Sequence, residues 1–477
     1  MVYSHASAVQ VPLTRRAALR ASGALTGVAA LVAAACQRPQ APAGGDATRS
    51  TAPKAPVTVR FNTWWTAMEP FLEWTVKTFE EENPGIKVEA QMLTGDWTAK
   101  LQAGLVAGVW DDVAQTNNTI QAKFMDSGAH LDLTDRHKRD KIDIRQTHLL
   151  MGIEIWCGKV YNVPWDNDPR AVYYNKTLIK QVGEKDPWDD LKGKWTWDDM
   201  FRIAKAVTKD TDGDGKIDQW GMQWAYHSYQ EFPVFTWTMG GNYADWQNMK
   251  YILDSREVIA TEELLYRWAI QEKVLMTNQQ ISELSQAGIS IPFASGKVAF
   301  WFRAAASMVP MVRNISNRFE WDVVPMPDMD AGHPGISVTS GNPYFIPSFT
   351  KVPDEAYKLI MWLAGPRYQK EMAKQKVFFP SLKAALADYV VGPPDHADTF
   401  AKVYERPYGI HFRHYETVQA GNVIAEEINK AFAGEKGVQQ ALKDANQRAN
   451  ELVRYGQCNP YQGIRVPIPG SPLPLGR

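Results

Sequence analysis

The acids with the most definite spacing are Asp210, Asp212, Asp214 and Asp218, in the run Asp210-Thr211-Asp212-Gly213-Asp214-Gly215-Lys216-Ile217-Asp218. They fall at positions one, three, five and nine of a loop, with Lys216 at seven and Gly at six. Hard cations such as Ca2+ need several oxygen ligands converging from a tight turn, and this spacing supplies them. The twelfth position, where a bidentate Glu would close the shell, is Gly221, and Gln219 to Tyr226 reads as a strand rather than a helix. Two readings stay open: a remote carboxylate completes a structural Ca2+ site, or the loop is an Asp/Gly-rich turn. Neither leaves an open catalytic position.

The second group is aromatic. With 18 Trp beside 18 Tyr and 18 Phe, the chain has a surplus of flat amphipathic rings of the kind that grips sugar faces, and a core rich in rings accounts for many of them. Enzyme chemistry is poorly provided for. Glycoside cleavage needs two carboxylates about 5–10 Å apart, and the sequence has no distinctive acid pair outside caps and turns. It also lacks a Gly-x-Ser-x-Gly elbow, a His-Glu-x-x-His run and a phosphate-binding glycine loop. His411-Phe412-Arg413-His414 spaces two histidines three apart without further ligands nearby. Asp198 and Asp199, after Trp195-Thr196-Trp197, are helix-start residues, with Thr196 and Asp199 forming a capping box.

The element that must position these groups is Val163-Pro164-Trp165-Asp166-Asn167-Asp168-Pro169-Arg170-Ala171-Val172-Tyr173-Tyr174-Asn175-Lys176. Two prolines bracket a polar turn and push the residues before them toward extended geometry. Ala171 to Tyr174 reads as a buried strand and Asn175 as a helix cap. Trp165, Asp166 and Asp168 therefore sit where one element hands over to another, and such places line clefts.

Around this stretch the pattern is layered. Val57 to Phe61 alternates as a strand, Glu69 to Glu82 has helical spacing and stops at Asn83-Pro84-Gly85, and Ile86 to Glu89 alternates again. Trp97 to Val109 is a helix and Asp112 to Gln115 a short strand. Strand and helix in such succession mark an α/β lobe with a largely parallel sheet, whose ligands sit at the carboxyl ends of its strands. Those ends carry Trp64, Trp65 and Asn117. Trp224, Tyr226, Tyr229, Phe232 and Trp237 form an aromatic cluster, Phe293 to Arg303 runs from a turn into a buried strand, and Ala420 to Leu452 is helical.

The 477 residues carry 45% hydrophobic and 22% charged side chains with a formal net charge of −1, ordinary globular values that give no basic tract for nucleic acid. Residues 1–36 read as an export leader. Thr14-Arg15-Arg16-Ala17-Ala18-Leu19-Arg20 is a twin-arginine pattern with Ala where Phe usually follows the pair, so general secretion stays open beside it, and the apolar run Ala21 to Ala35 is too short for a permanent span. Ala33-Ala34-Ala35-Cys36 reads as a lipobox that would make Cys36 a lipidated N-terminus, with a plain cleavage site as the alternative. Residues 37–56, rich in Ala, Pro, Gly, Ser and Thr, form a flexible tether. Cys157 and Cys458 can make one bridge in an oxidising compartment, which spacing alone does not decide.

The order of these pieces resembles the extracellular solute-binding proteins of bacterial ABC importers, in the sugar-binding family that includes the maltose-binding protein. The resemblance runs over residues 57–455. It is carried by Val59–Trp65, Trp97–Val113, Val163–Asn175 with Trp195–Met200, Phe293–Phe302, and Tyr344–Lys374 with Phe379-Pro380-Ser381. It implies an α/β, two-lobed periplasmic-binding-protein fold with three hinge crossings, near Asp166–Tyr173, Pro325–Gly335 and Phe378–Ser381, and a central ligand cleft. Lobe 1 would comprise residues 57–166 and 330–378, lobe 2 residues 167–329 and 379–460, with a proline-rich tail over 461–477. The implied protein is a monomeric receptor, anchored by lipid at the outer face of the membrane or held in the periplasm. It would bind a sugar or oligosaccharide and close by hinge motion for an ABC permease. The cleft residues implied are Trp64, Trp65, Asn117, Trp165, Asp166, Asp168, Trp224, Trp237, Trp301, Arg303 and Tyr344, the rings stacking on sugar faces and the polar groups bonding hydroxyls. No cofactor is required. The competing classes are a secreted carbohydrate-active hydrolase or lyase and a receptor for a non-sugar solute.

Overall fold

The computed structural model describes residues 55–65, 68–117, 119–152, 154–224, 231–389, 392–456 and 458–461. The export leader, Cys36, the tether up to residue 54, Tyr226 and Tyr229, and the tail from residue 462 lie outside the described residues.

Strand β1 (Val57–Thr63) buries Val59 and Phe61 completely. It lies between β2 (Ile86–Met92) and β3 (Val113–Gln115), parallel to both. Helix α1 (Glu69–Glu82) returns across this sheet because Phe71, Thr75 and Phe79 share one face; burying each Phe contributes roughly 1.5–3 kcal/mol. Helix α2 (Trp97–Ala107) starts at Asp96, whose side chain accepts from Ala99 N at 3.0 Å, and stops at Gly108, where φ is +68° and a side chain would be strained. Helix α3 (Gln121–Asp126) follows β3, and then comes a tight hairpin of β4 (Ile155–Trp156) and β5 (Lys159–Val160).

Strands β6 (Asn162–Val163) and β7 (Asp166–Asn167) lead into β8 (Arg170–Asn175), buried along its whole length. Asn175 caps the next helix by accepting from Leu178 N at 3.0 Å. Thr196 and Asp199 make the expected capping box at the helix Trp197–Val207. Then come β9 (Trp220–Gln223), a small hairpin of β10 (Ala244–Asp245) and β11 (Lys250–Tyr251), β12 (Val298–Ala304) and β13 (Trp321–Val324). The last strands are β14 (Ser337–Val338), β15 (Tyr344–Phe345), β16 (Phe379–Pro380) and β17 (Tyr408–Gly409).

Two sheets result. The first has the order β2-β1-β3-β15-β6 and the second β13-β8-β12-β9, each with a single strand reversed against the others, β15 and β8 respectively. The chain leaves the first sheet after β6, returns to it between β13 and β15, and leaves it again at β16. The crossing segments pair with one another or with the chain beside them: Phe379 with Asn167, Pro380 with Asp166, Ser337 with Tyr408 and Val338 with Gly409. Gly341 lies here because a Cβ would run into Met151 Sδ and the Asp166 carbonyl. Along β8 the side chains alternate, Val172 and Tyr174 entering one core with Phe300 and Phe302, Ala171 and Tyr173 entering another with Trp301 and Val323.

The expected run Ala420 to Leu452 is two helices, Thr417–Phe432 and Val438–Glu451. The break falls at Gly434, whose φ of +78° lets the chain reverse and pack the two against each other. Cys157 and Cys458 are disulfide-bonded, with their Cα atoms 6.0 Å apart. Among the described residues no helix is long and apolar enough to cross a membrane.

Candidate functional site

The end of β1 delivers Trp64 and Trp65 and the end of β3 delivers Asn117. Gln115, the last residue of β3, accepts from Thr63 Oγ1 at 2.6 Å and from Trp64 N at 3.3 Å, tying the two strand ends together. Asn117 uses its carbonyl oxygen for Thr119, accepting from N at 3.0 Å and Oγ1 at 2.7 Å; its amide nitrogen has no partner among the described residues. Trp64 is sandwiched between Trp65 (4.5 Å, 28°) and Trp97 (4.5 Å, 2°), so both of its faces are already covered. Trp65 is half-buried, with Trp64 on one side and the edge of Phe378 nearby at 4.9 Å.

At the crossing, Asp166 is buried and accepts from Asn342 N at 2.5 Å and Asn342 Nδ2 at 2.8 Å. Burial pushes its pKa up to about 8, against the opposing pull of the Asn342 bonds. Asp168 accepts from Ala306 N at 3.0 Å, and burial raises its pKa too, with Arg170 and Arg303 working the other way. Asn167, between them, donates to Leu149 O and accepts from Thr339 Oγ1 at 2.7 Å and Tyr404 OH at 2.6 Å.

Beside Asp168 the structure gathers a charged cluster. Arg170, 2% exposed, donates through Nη1 to Asp168 O (3.1 Å) and Ser340 Oγ (3.0 Å) and through Nε to Glu231 Oε1 (3.5 Å). Arg303 reaches the same carboxylate oxygen at 3.3 Å while its side chain stays 36% exposed, 5.9 Å over the Trp301 ring. Glu231 is 1% exposed, and its Oε2 has no partner among the described residues. The crossing segments feed this cluster through Asp168 and Ser340, and the second lobe feeds it through Arg303 near the end of β12 and Glu231 just before the helix Pro233–Thr238.

The remaining rings implied by the resemblance are enclosed by protein. Trp165 is 1% exposed, donates to Tyr368 OH at 3.1 Å and meets Tyr344 edge to face at 5.3 Å, and Tyr344 is itself buried against Phe61. Trp237 donates to Asn242 Oδ1 at 3.2 Å and lies against the backbone of Gly409. Trp301 stacks on Phe293 at 5.7 Å. Trp224 stacks on Phe302 at 4.1 Å, its indole N–H buried and without a partner among the described residues. The correction these contacts make is physical: a ring enclosed by other rings or by backbone holds a lobe together and offers no platform, which applies to Trp64, Trp165, Trp224, Trp237, Trp301 and Tyr344.

Arg170 and Glu231 are absent from the residues expected on sequence. For Arg170 the signal is a charge opening a buried strand directly before the run Ala171–Tyr174. Glu231 has no periodic signal; it stands out only as an acid next to the aromatic cluster.

In the loop, carboxylate oxygens of Asp210, Asp212 and Asp214 all lie within 4.8 Å of one another, so this cluster can chelate a cation. Asp210 accepts from Gly213 N and Gly215 N, both at 2.7 Å, and these bonds hold its pKa below the usual carboxylate value. Lys216 N donates to Asp214 Oδ1 at 2.8 Å. Asp218 is turned away from that group: it accepts from Thr211 N at 2.9 Å and pairs with Lys297 at 3.4 Å, so it is not one of the converging ligands.

A family profile described as bacterial extracellular solute-binding protein matches residues 62–370. The ABC substrate-binding protein Lmo0181 from Listeria monocytogenes, solved in complex with cycloalternan, superposes with a TM-score of 0.72 at 20% identity, covering 83% of this chain and 98% of that one. The multiple sugar-binding protein of Streptococcus mutans is 22% identical over 353 residues, 72% of this chain and 77% of that protein. The sn-glycerol-3-phosphate-binding periplasmic protein UgpB of Escherichia coli K12 is 23% identical over 427 residues, 82% and 92% of the two chains.

Proposed function

The chain belongs to the bacterial extracellular solute-binding proteins, and on that footing we propose that it is the receptor of an ABC importer whose solute is a neutral carbohydrate held between the two lobes. Membership makes it an extracytoplasmic binder and argues against catalysis. The observation that carries the choice of solute is Glu231: a buried carboxylate with one oxygen shared by two arginines and the other without a partner among the described residues. A sugar ring supplies groups that both donate and accept. One hydroxyl donates to Glu231 Oε2 and accepts from the exposed Arg303, and another accepts from the Asn117 amide. Hydrogen bonds to charged groups are about twice as strong as neutral ones, so few are needed. Trp65, half-buried, is the ring that remains for stacking. A phosphate, as in the solute named for UgpB, would bring negative charge against Glu231. Closure is driven by contacts made only when both lobes touch the solute.

The anchor is Cys36, lipidated after export, and the receptor works as a monomer beside its permease. Asp210, Asp212 and Asp214 would hold a Ca2+ ion whose role is to brace the loop.

Titration calorimetry of the exported chain (residues 37–477) against mono-, di- and oligosaccharides and sn-glycerol 3-phosphate, with product analysis, tests the reading. Binding of one sugar class without turnover supports it. Preference for the phosphate overturns the neutral-solute reading, and product formation overturns the receptor.

A further inference from the structure

The Cys157–Cys458 bridge joins pieces of chain that are fixed to different lobes. Cys157 is the first loop residue of the β4–β5 hairpin, with φ +50°, followed by Gly158 at +77°, the backbone of a two-residue hairpin turn. This hairpin belongs to the first lobe. Leu133 N donates to Val160 O at 2.7 Å and Val160 N to Thr134 Oγ1 at 2.9 Å. Trp156 is buried with Ala122 and Met125 of α3 and donates to Asp126 Oδ1 at 2.9 Å. Cys458 belongs to the second lobe. Its neighbour Asn459 donates to Trp246 O at 3.2 Å and Gln247 O at 2.8 Å. Tyr461 packs on Trp246 at 5.0 Å and accepts from Arg413 N at 2.9 Å.

A second link crosses at the same place. Asp126, which holds Trp156 through one oxygen, accepts from Tyr415 OH at 2.8 Å through the other. Tyr415 N in turn donates to Arg454 O at 2.8 Å, in the segment that leads to Cys458. Gly456 sits so close to the Asp126 carboxylate and the Tyr415 hydroxyl that a Cβ there would collide with both.

We propose that the bridge is a covalent strap between the lobes, a fourth connection added to the three crossing segments, which fixes the axis about which the lobes turn. A disulfide tolerates Cα separations of about 4.4–6.8 Å. At 6.0 Å this pair has roughly 1 Å left before the bond resists. Three crossing segments alone permit both bending and twisting. With the strap in place, any motion that opens the cleft by several ångströms must leave the α3 side in register, so twisting modes are removed from the ligand-free ensemble. A narrower open ensemble loses less entropy on closing, which favours binding. The bond persists in an oxidising compartment, so the strap is set on export and the dithiol form is the looser receptor.

The test uses the exported chain (residues 37–477) without solute: oxidised, reduced in the folded state by dithiothreitol with the two thiols counted, and as C157S and C458S. X-ray scattering reads the lobe separation and hydrogen exchange reads local opening. The reduced protein and both variants are expected to share a radius of gyration larger by about 1 Å, against about 22 Å for a compact chain of this length. Exchange should rise at the crossing segments around residues 166–168 and 337–342, and stay unchanged in the helix Val438–Glu451. An unchanged radius, with faster exchange confined to residues 155–160 and 454–461, would overturn the proposal and leave the bridge as a pin for the tail. If the serine variants fail to fold, the reduced folded protein gives the same two outcomes. No solute is needed, so the result is independent of whether the solute is a sugar.

Discussion

Asp166, at the crossing between the lobes, is fully buried, takes two hydrogen bonds from one residue, Asn342, and is pushed up to about 8 by burial. Asp210, in the exposed loop, also takes two hydrogen bonds, from the main-chain N–H groups of Gly213 and Gly215, and its pKa moves down instead. The number of bonds is the same. Solvent decides the difference: water and main-chain donors favour the charged form of Asp210, whereas desolvation at Asp166 outweighs the donors and favours the neutral form. Acids that look alike in the sequence are thus set for different tasks. The loop's charges are available to a cation and the crossing's acids knit the lobes together.

The variant that strains this contrast most is Glu231→Ala. Glu231 is a buried acid held in pairs with Arg170 and Arg303. Removing it takes from Arg170 the carboxylate that its Nε reaches, and breaking a buried pair costs about 3 kcal/mol at the low end of the usual range, which suits these long contacts. We expect the melting temperature to fall by about 3 °C in scanning calorimetry and solute affinity to fall more than tenfold. A loss of affinity with unchanged melting would make Glu231 a solute ligand without a structural share.

How far these sites could be read from sequence follows the range of the interactions. The convergence of Asp210, Asp212 and Asp214, the Thr196–Asp199 capping box and the Asn175 cap are all fixed within a few residues, and the structure shows each of them, whereas Asp218 turns away to Thr211 and Lys297. The alternation of β1 and the α1 face are legible for the same reason. Trp165 and Trp301 could not be assigned this way. Whether a ring faces a cleft or another ring depends on Tyr344 and Phe293, and Tyr344 lies 179 residues after Trp165 (344 − 165). The Arg170–Glu231 contact spans 61 residues and the Cys157–Cys458 bridge 301, so no local pattern announces either.

Asp166 gives the next largest effect, through pH. Its native pKa, about 8, lies above the ordinary 3.8. Between those values the native state holds more protons than the unfolded chain, so its contribution to stability is full below about pH 4 and is lost as pH rises through 8. Asp166→Asn mimics the neutral acid. Melting temperatures of the two proteins should therefore agree within about 2 °C at pH 5, and the variant should lose less than the wild type between pH 5 and pH 8.5. Parallel curves across that range would show that Asp166 is ionised in the native state and that its bonds to Asn342 outweigh desolvation.

The smallest effect belongs to the loop, and it works only when a cation is offered. Asp214 is exposed and its carboxylate accepts from Lys216 N, a local turn bond that an Asn side chain preserves. In chelator, Asp214→Asn should therefore melt within about 1 °C of the wild type, as surface substitutions do. A cation that binds the native state alone raises stability by mass action. Millimolar Ca2+ should then raise the melting temperature of the wild type but not of the variant, because the variant has lost one of three converging carboxylates. Asp218→Asn separates the two readings of the loop. Its carboxylate is turned to Thr211 and Lys297, so the Ca2+ response should survive its replacement. Loss of the response in Asp218→Asn would mean that the loop rearranges to recruit the ninth position, whereas no response in the wild type would leave the sequence 210–218 as a turn that uses its acids only to cap its own backbone.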